Sequence, residues 1–166
     1  MKIAICQINP IVGDFDYNRN ILLMYYKNCI GLNADIIVFP ELIISGYPPQ
    51  DLLWEDGFVD QNLLNLNEIA SVSSIPLIFG FVRKENGRLF NSAAVCFDGK
   101  LQSTTDKILL PTYDIFDEVR YFTSGDEPKV IPIPVKGKQV NFGVQICEDL
   151  WDHYYDCKVS KIQKDK

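Results

Sequence analysis

The chain has 166 residues, 47% of them apolar and 23% charged, with a net charge of −6. That is enough for one domain with a real core, and too apolar for a disordered chain. The charge excludes a basic nucleic-acid surface, no apolar run is as long as a membrane span, and the short alternating start Met1–Cys6 does not read as a signal peptide.

Lys2 to Asn9 predicts a first strand, apolar on both faces and covered on both sides. Pro10 and Gly13 turn the chain, Asp14 or Asp16 can cap a helix, and that helix should run from Tyr17 to Leu32. Ile21, Leu22, Tyr25, Cys29 and Leu32 form its expected buried stripe. Asp35 to Phe39 is a second buried strand that ends at Pro40-Glu41. A second helix is expected from Phe58 to Ala70 and a third strand from Pro76 to Val82. Asn86-Gly87 and Asp98-Gly99 are hairpin signals that set off a fourth strand, Phe90 to Phe97, and a fifth, Leu101 to Thr105. Alternating strands and helices followed by a meander predict an α/β fold in which the meander extends the first sheet.

Asp106 to Thr123 is a long connection rich in aromatics, which should fold over something rather than wave in solvent. Pro132 and Pro134 confine the next strand, Val130 to Val135, to an edge. Lys136-Gly137-Lys138 then turns the chain into an apolar strand that runs to Cys147.

The five cysteines are scattered without a C-x-x-C pair, and the one histidine is His153. This argues against structural zinc and a disulfide framework, and predicts a reducing, cytoplasmic setting. Cys147, where a strand gives way to a turn, is either a small buried hydrophobe or a nucleophile facing backbone N–H groups. Glu41 is either a solvated loop carboxylate or a group held in a cleft. If their two strands are parallel neighbours, Glu41 and Cys147 emerge at one sheet edge, where a carboxylate can take the thiol proton. Lys107, at the head of the long connection, can stabilise an oxyanion.

Phe39-Pro40-Glu41, Asp106-Lys107 and Ile146-Cys147-Glu148 resemble the Glu–Lys–Cys triad of the nitrilase (carbon–nitrogen hydrolase) superfamily. Gly46 to Leu53, Leu110 to Phe122 and Cys147 to Trp151 resemble, within it, the glutaminase domain of glutamine-dependent NAD⁺ synthetases. The resemblance implies an α-β-β-α sandwich of mixed sheets and hydrolysis of glutamine's side-chain amide through a thioester. It implies Cys147 as nucleophile, Glu41 as base, and Lys107 with the Glu148 N–H as oxyanion stabilisers. Glu118 matches a second family glutamate that supports the lysine and the substrate. Tyr113, Phe116, Glu148 and Trp151 fall where the family shapes its glutamine pocket, although plain packing explains Tyr113 and Trp151 as well.

The resemblance runs from Lys2 to about Asp152, leaving 153–166 as a divergent, solvated polar tail. The family pattern would continue with a buried strand bearing a serine, an arginine for the substrate's α-carboxylate, and further strands. An incomplete, truncated domain, weakly active or inactive alone, is therefore expected. No cofactor is expected for the amidase step, ATP and magnesium belonging only to a separate synthetase domain. The expected partners are glutamine or another small amide and a separately encoded remainder of the enzyme, with a homo-oligomer left open and neither nucleic acid nor membrane. A stand-alone small-amide amidase and a non-catalytic fragment that binds a second half are the rival readings.

Overall fold

In the computed structural model, which describes residues 1–166, two βα units open the chain. β1 (Ile3–Ile5), α1 (Phe15–Gly31), β2 (Ile36–Val38), α2 (Phe58–Ser71) and β3 (Leu77–Glu85) alternate, and the three strands pair in parallel. β4 (Arg88–Phe97) and β5 (Lys100–Asp106) add antiparallel to complete a mixed sheet in the order β1-β2-β3-β4-β5. Both turns fall where the sequence puts them. Asn86, Gly87, Asp98 and Gly99 all have positive φ, the backbone that matches the twist of the flanking strands.

The helices cover one face of this sheet, where Leu22, Tyr26, Leu66 and Ile69 pack on Ile37, Leu77 and Phe79. Asp14 caps α1 by accepting from the Tyr17 N–H at 3.0 Å. The stripe of α1 is rotated from the expected one: Asn18, Leu22, Tyr26 and Cys29 are buried, while Tyr25 and Leu32 are exposed. Asn18 can be buried because its amide is fully used, accepting from the Ile11 N–H and donating to the Ile11 and Ile44 carbonyls.

A second, antiparallel sheet of β6 (Val130–Val135) and β7 (Lys138–Gly143) lies on the other face. Its Ile131, Ile133 and Val135 meet Ile36, Ile78, Ala93 and Val95 of the large sheet. β6 pairs only with β7, as the missing N–H groups of Pro132 and Pro134 require.

Three expectations are corrected. The strand leading to Cys147 is not a parallel neighbour of β2, because β1 and β3 already occupy both edges of β2. It belongs to the second sheet, so Glu41 and Cys147 approach across the gap between sheets. β1 is shorter than expected and one of its faces is open, with Ile5 72% exposed; two strands cannot cover five. The polar tail is not fully solvated. α3 (Val159–Asp165) buries Val159, and Gln163 donates to the Lys129 and Val144 carbonyls at 3.0 Å each.

The buried thiols give the fold an alkaline limit. Burial pushes Cys6 up to about 12, aided by Cys29 at 3.5 Å, and pushes Cys96 up to about 12. From pH 9 to 12 the folded chain retains protons that the unfolded chain releases, so stability falls as pH rises. Urea melts across that range should show midpoints declining with pH, with a shallower decline in Cys96→Ala.

Candidate active site

Glu41 follows β2 in a turn pressed against β3. The Gly80 N–H donates to the Pro40 carbonyl at 3.1 Å, and a Cβ on Gly80 would lie 2.1 Å from the Leu42 nitrogen. Only glycine lets the turn lie that close. Lys107 leaves the end of β5 with its N–H on the Asn91 carbonyl (2.8 Å) and its carbonyl accepting from Gly125 (2.9 Å). The preceding Asp106 is fixed by the two-pronged Arg83 guanidinium, at 2.8 and 2.7 Å, and by the Ser92 hydroxyl. The root of the lysine is therefore immobile.

The Lys107 side chain is completely buried. Its Nζ donates to Glu41 Oε1 and to Glu118 Oε1, both at 2.8 Å. Burial opposes the ammonium charge, but the two carboxylates outweigh it and hold the lysine above its usual range. Two carboxylates around one ammonium leave an excess negative charge. Burial pushes the Glu118 carboxyl up against the pull of Lys107, and the neighbouring Glu41 charge adds to the rise. Tyr47 donates to the same Glu118 oxygen at 2.8 Å, and its hydroxyl is pushed up by burial and by that carboxylate.

Cys147 stands at a left-handed backbone position, φ 46°. Partial burial, then the Glu41 charge, pushes its thiol up to about 11, with Lys107 opposing, although the residue as a whole stays exposed at its turn. At neutral pH this sulfur carries its proton, and a nucleophilic role requires a base at hand. Glu41 and Cys147 line one cavity of about 110 Å³, walled by Val38, Ile78, Ala93 and Ile146.

Asp149 joins the two halves of the site. One of its oxygens accepts from the Ile108 and Leu109 N–H groups at 3.1 and 2.9 Å, the other from the Ile146 N–H at 3.1 Å. The loop behind Lys107 and the turn at Cys147 are thus bound to one carboxylate. Glu148 is buried and accepts from Tyr113 (2.9 Å) and Tyr155 (2.7 Å), one hydroxyl on each oxygen. The Phe116 ring packs edge-on to Tyr113 at 5.8 Å and lines a second cavity of about 290 Å³ with Tyr47 and Glu118. Trp151 is exposed, its ring 6.3 Å from His153. No group of three or more His, Cys, Asp or Glu side chains is placed to hold a metal ion.

The structure therefore brings Glu41, Lys107 and Glu118 into direct contact and sets Cys147 on the same cavity as Glu41. Sequence reasoning missed Asn91, Tyr47, Asp149 and Tyr155. For Asn91 a signal existed: an amide in a run of otherwise apolar or small strand residues needs a partner.

The chain as a whole resembles known proteins. The sequence profile of the carbon–nitrogen hydrolases matches residues 2–155. A glutamine-dependent NAD⁺ synthetase of Acinetobacter baylyi is 38% identical over 162 residues, 97% of this chain and 29% of its own length. One of Thermotoga maritima is 34% identical over 155 residues, 92% of this chain and 26% of its own length. The solved glutamine-dependent NAD⁺ synthetase of Acinetobacter baumannii, in complex with ADP, superposes with a TM-score of 0.85 at 35% identity, covering 96% of this chain and 29% of that one. An amidase of Nesterenkonia sp., at 21% identity and a TM-score of 0.75, shares the fold over 90% of this chain and 56% of its own. The chain thus spans less than a third of the synthetases it matches, and the alignment covering 97% of it runs beyond Asp152, the expected limit of resemblance.

Proposed function

The chain belongs to the carbon–nitrogen hydrolase family, and from that membership we propose that it hydrolyses the side-chain amide of glutamine to glutamate and ammonia, as the glutaminase part of a glutamine-dependent NAD⁺ synthetase. Glu41 takes the proton of the Cys147 thiol, and the sulfur bonds to the amide carbon as the carbonyl electron pair moves onto oxygen. The Lys107 ammonium and the Glu148 N–H hold that oxyanion. When the carbonyl re-forms, the C–N bond breaks and the amine leaves as ammonia with the proton that Glu41 held. Water then gives a proton to Glu41 and attacks the thioester, and the thiolate departs and recovers that proton. Every proton and electron pair comes from these side chains, the substrate and water.

The observation that carries the reading is the Lys107 ammonium, completely buried and 2.8 Å from both Glu41 and Glu118, beside the cavity that Glu41 shares with Cys147. The match to glutamine-dependent synthetases over nearly the whole chain favours glutamine over an uncharged small amide. Five free cysteines suit a reducing cytoplasm. The ammonia is consumed by the part of a synthetase that lies outside the region this chain matches.

The purified chain given glutamine should release glutamate and ammonia in equal amounts, at the low rate expected of an incomplete domain, and hydroxylamine should divert the thioester to a hydroxamate. Both products should vanish in Cys147→Ala. Undiminished turnover in that variant overturns the thioester. Turnover of small amides but not of glutamine overturns the substrate, and release of neither product overturns the reading for this chain.

A further inference from the structure

Asn91 lies in the buried run of β4 and is 1% exposed. Its side-chain amide donates to Glu41 Oε1 at 2.7 Å, and its main-chain carbonyl accepts from the Lys107 N–H at 2.8 Å. One residue thus holds the carboxylate by its side chain and the lysine by its backbone. Lys107 Nζ donates to the same Oε1 of Glu41. Both donors converge on one oxygen, and Oε2 receives neither.

The other end of the Asn91 amide carries a second clue. Its Oδ1 is buried without a hydrogen-bond partner. A buried amide kept only for packing settles where both ends are satisfied, because an orphaned acceptor is costly. This one leaves its oxygen unpaired and keeps its nitrogen on Glu41.

We infer that Asn91 is a positioning residue that divides the two oxygens of Glu41 between tasks, anchoring Oε1 and leaving Oε2 as the proton acceptor. The inference rests on the proposed role of Glu41 as base and adds the device that aims it. A carboxylate free to rotate would present either oxygen to the thiol, or neither, and lose the fixed geometry on which proton transfer depends.

The test is the rate at which iodoacetamide alkylates Cys147, followed by peptide mass spectrometry so that the other four cysteines are read separately. Native chain, Glu41→Gln, Asn91→Ala and Asn91→Asp are compared, with thermal midpoints for each. Glu41→Gln should slow alkylation, and Asn91→Ala should slow it by about tenfold. Asn91→Asp keeps the side-chain volume but cannot donate when ionised, so at about pH 8 it should be slowed at least as much; towards about pH 6 its deficit should narrow, because a carboxyl sharing a proton with Glu41 can donate again. A packing role predicts the reverse, with Asn91→Asp milder than Asn91→Ala and a deficit constant with pH, and that result overturns the inference. Slow alkylation in Glu41→Gln with native rates in both Asn91 variants also overturns it, while leaving the base role intact. A native rate in Glu41→Gln, or a faster one, as loss of a charge that merely pushes the thiol up would give, overturns the base role itself. If Asn91→Ala does not fold, the pH dependence of Asn91→Asp decides alone.

Discussion

Lys107→Met should lose about 3–5 kcal/mol of folding stability and reduce turnover on the order of 10²–10³-fold. The two losses have one origin. Methionine fills nearly the same volume, so the change creates no large cavity and removes chiefly the charge. Glu41 and Glu118, each now 2.8 Å from the ammonium, would face one another with no cation between them, and Glu118 is already pushed up by burial in the native chain. Breaking a buried ion pair from one side leaves the other side's desolvation uncompensated. The carboxyls can escape only by taking up protons. The stability deficit should therefore shrink as pH falls, because protonation removes the stranded charge. Urea melts of native chain and variant at neutral and mildly acidic pH measure this directly. An equal deficit at both would mean that packing, and not charge, is what the lysine supplies.

Cys147→Gly should move stability and activity in opposite directions. The native residue occupies φ 46°, where a Cβ crowds the backbone at a cost of about 1–2 kcal/mol, and glycine enters that region without the penalty. The variant should gain roughly 1 kcal/mol in a urea melt, while glutamine turnover falls by at least about 10⁴-fold for want of a nucleophile. Cys147→Ala is the control, since it removes the sulfur and keeps the Cβ. It should lose activity equally and gain no stability. If the two variants melt alike, the turn is not strained; if either turns over glutamine at the native rate, the sulfur is not the nucleophile. Strain kept at a reactive position in exchange for geometry is a recurrent property of functional sites.

The alternation of strands and helices, both hairpin turns and a helix cap at Asp14 or Asp16 were legible because each is a local choice of residues 2–10 positions apart, roughly the range over which pattern rules operate. The position of Cys147 relative to Glu41 was not, because nothing local says that β2 already has two neighbours. Ile5 was misjudged for the same reason: its apolar character is visible, but the width of the opposing sheet is a property of the whole chain. In the site, Glu41 and Cys147 announced themselves as reactive groups at the ends of apolar runs, Lys107 stood at the head of the long connection, and Glu118 was visible only through the family resemblance. Asn91 carried a signal, an amide inside an apolar strand, that names no partner, and Tyr47 carried none, since a phenol inside a folded segment reads as ordinary packing until its partner is known. The burial of Asn18 in α1 was missed on similar grounds, since three hydrogen bonds satisfy an amide that hydrophobic periodicity does not count.

The clasp at Asp149 bears on how this molecule fluctuates. Its carboxylate is shared by three main-chain donors from segments roughly forty residues apart in sequence. Opening either segment breaks the bonds from Ile108 and Leu109, so loosening one removes support from the other. The lysine and the thiol are consequently coupled through a single carboxylate.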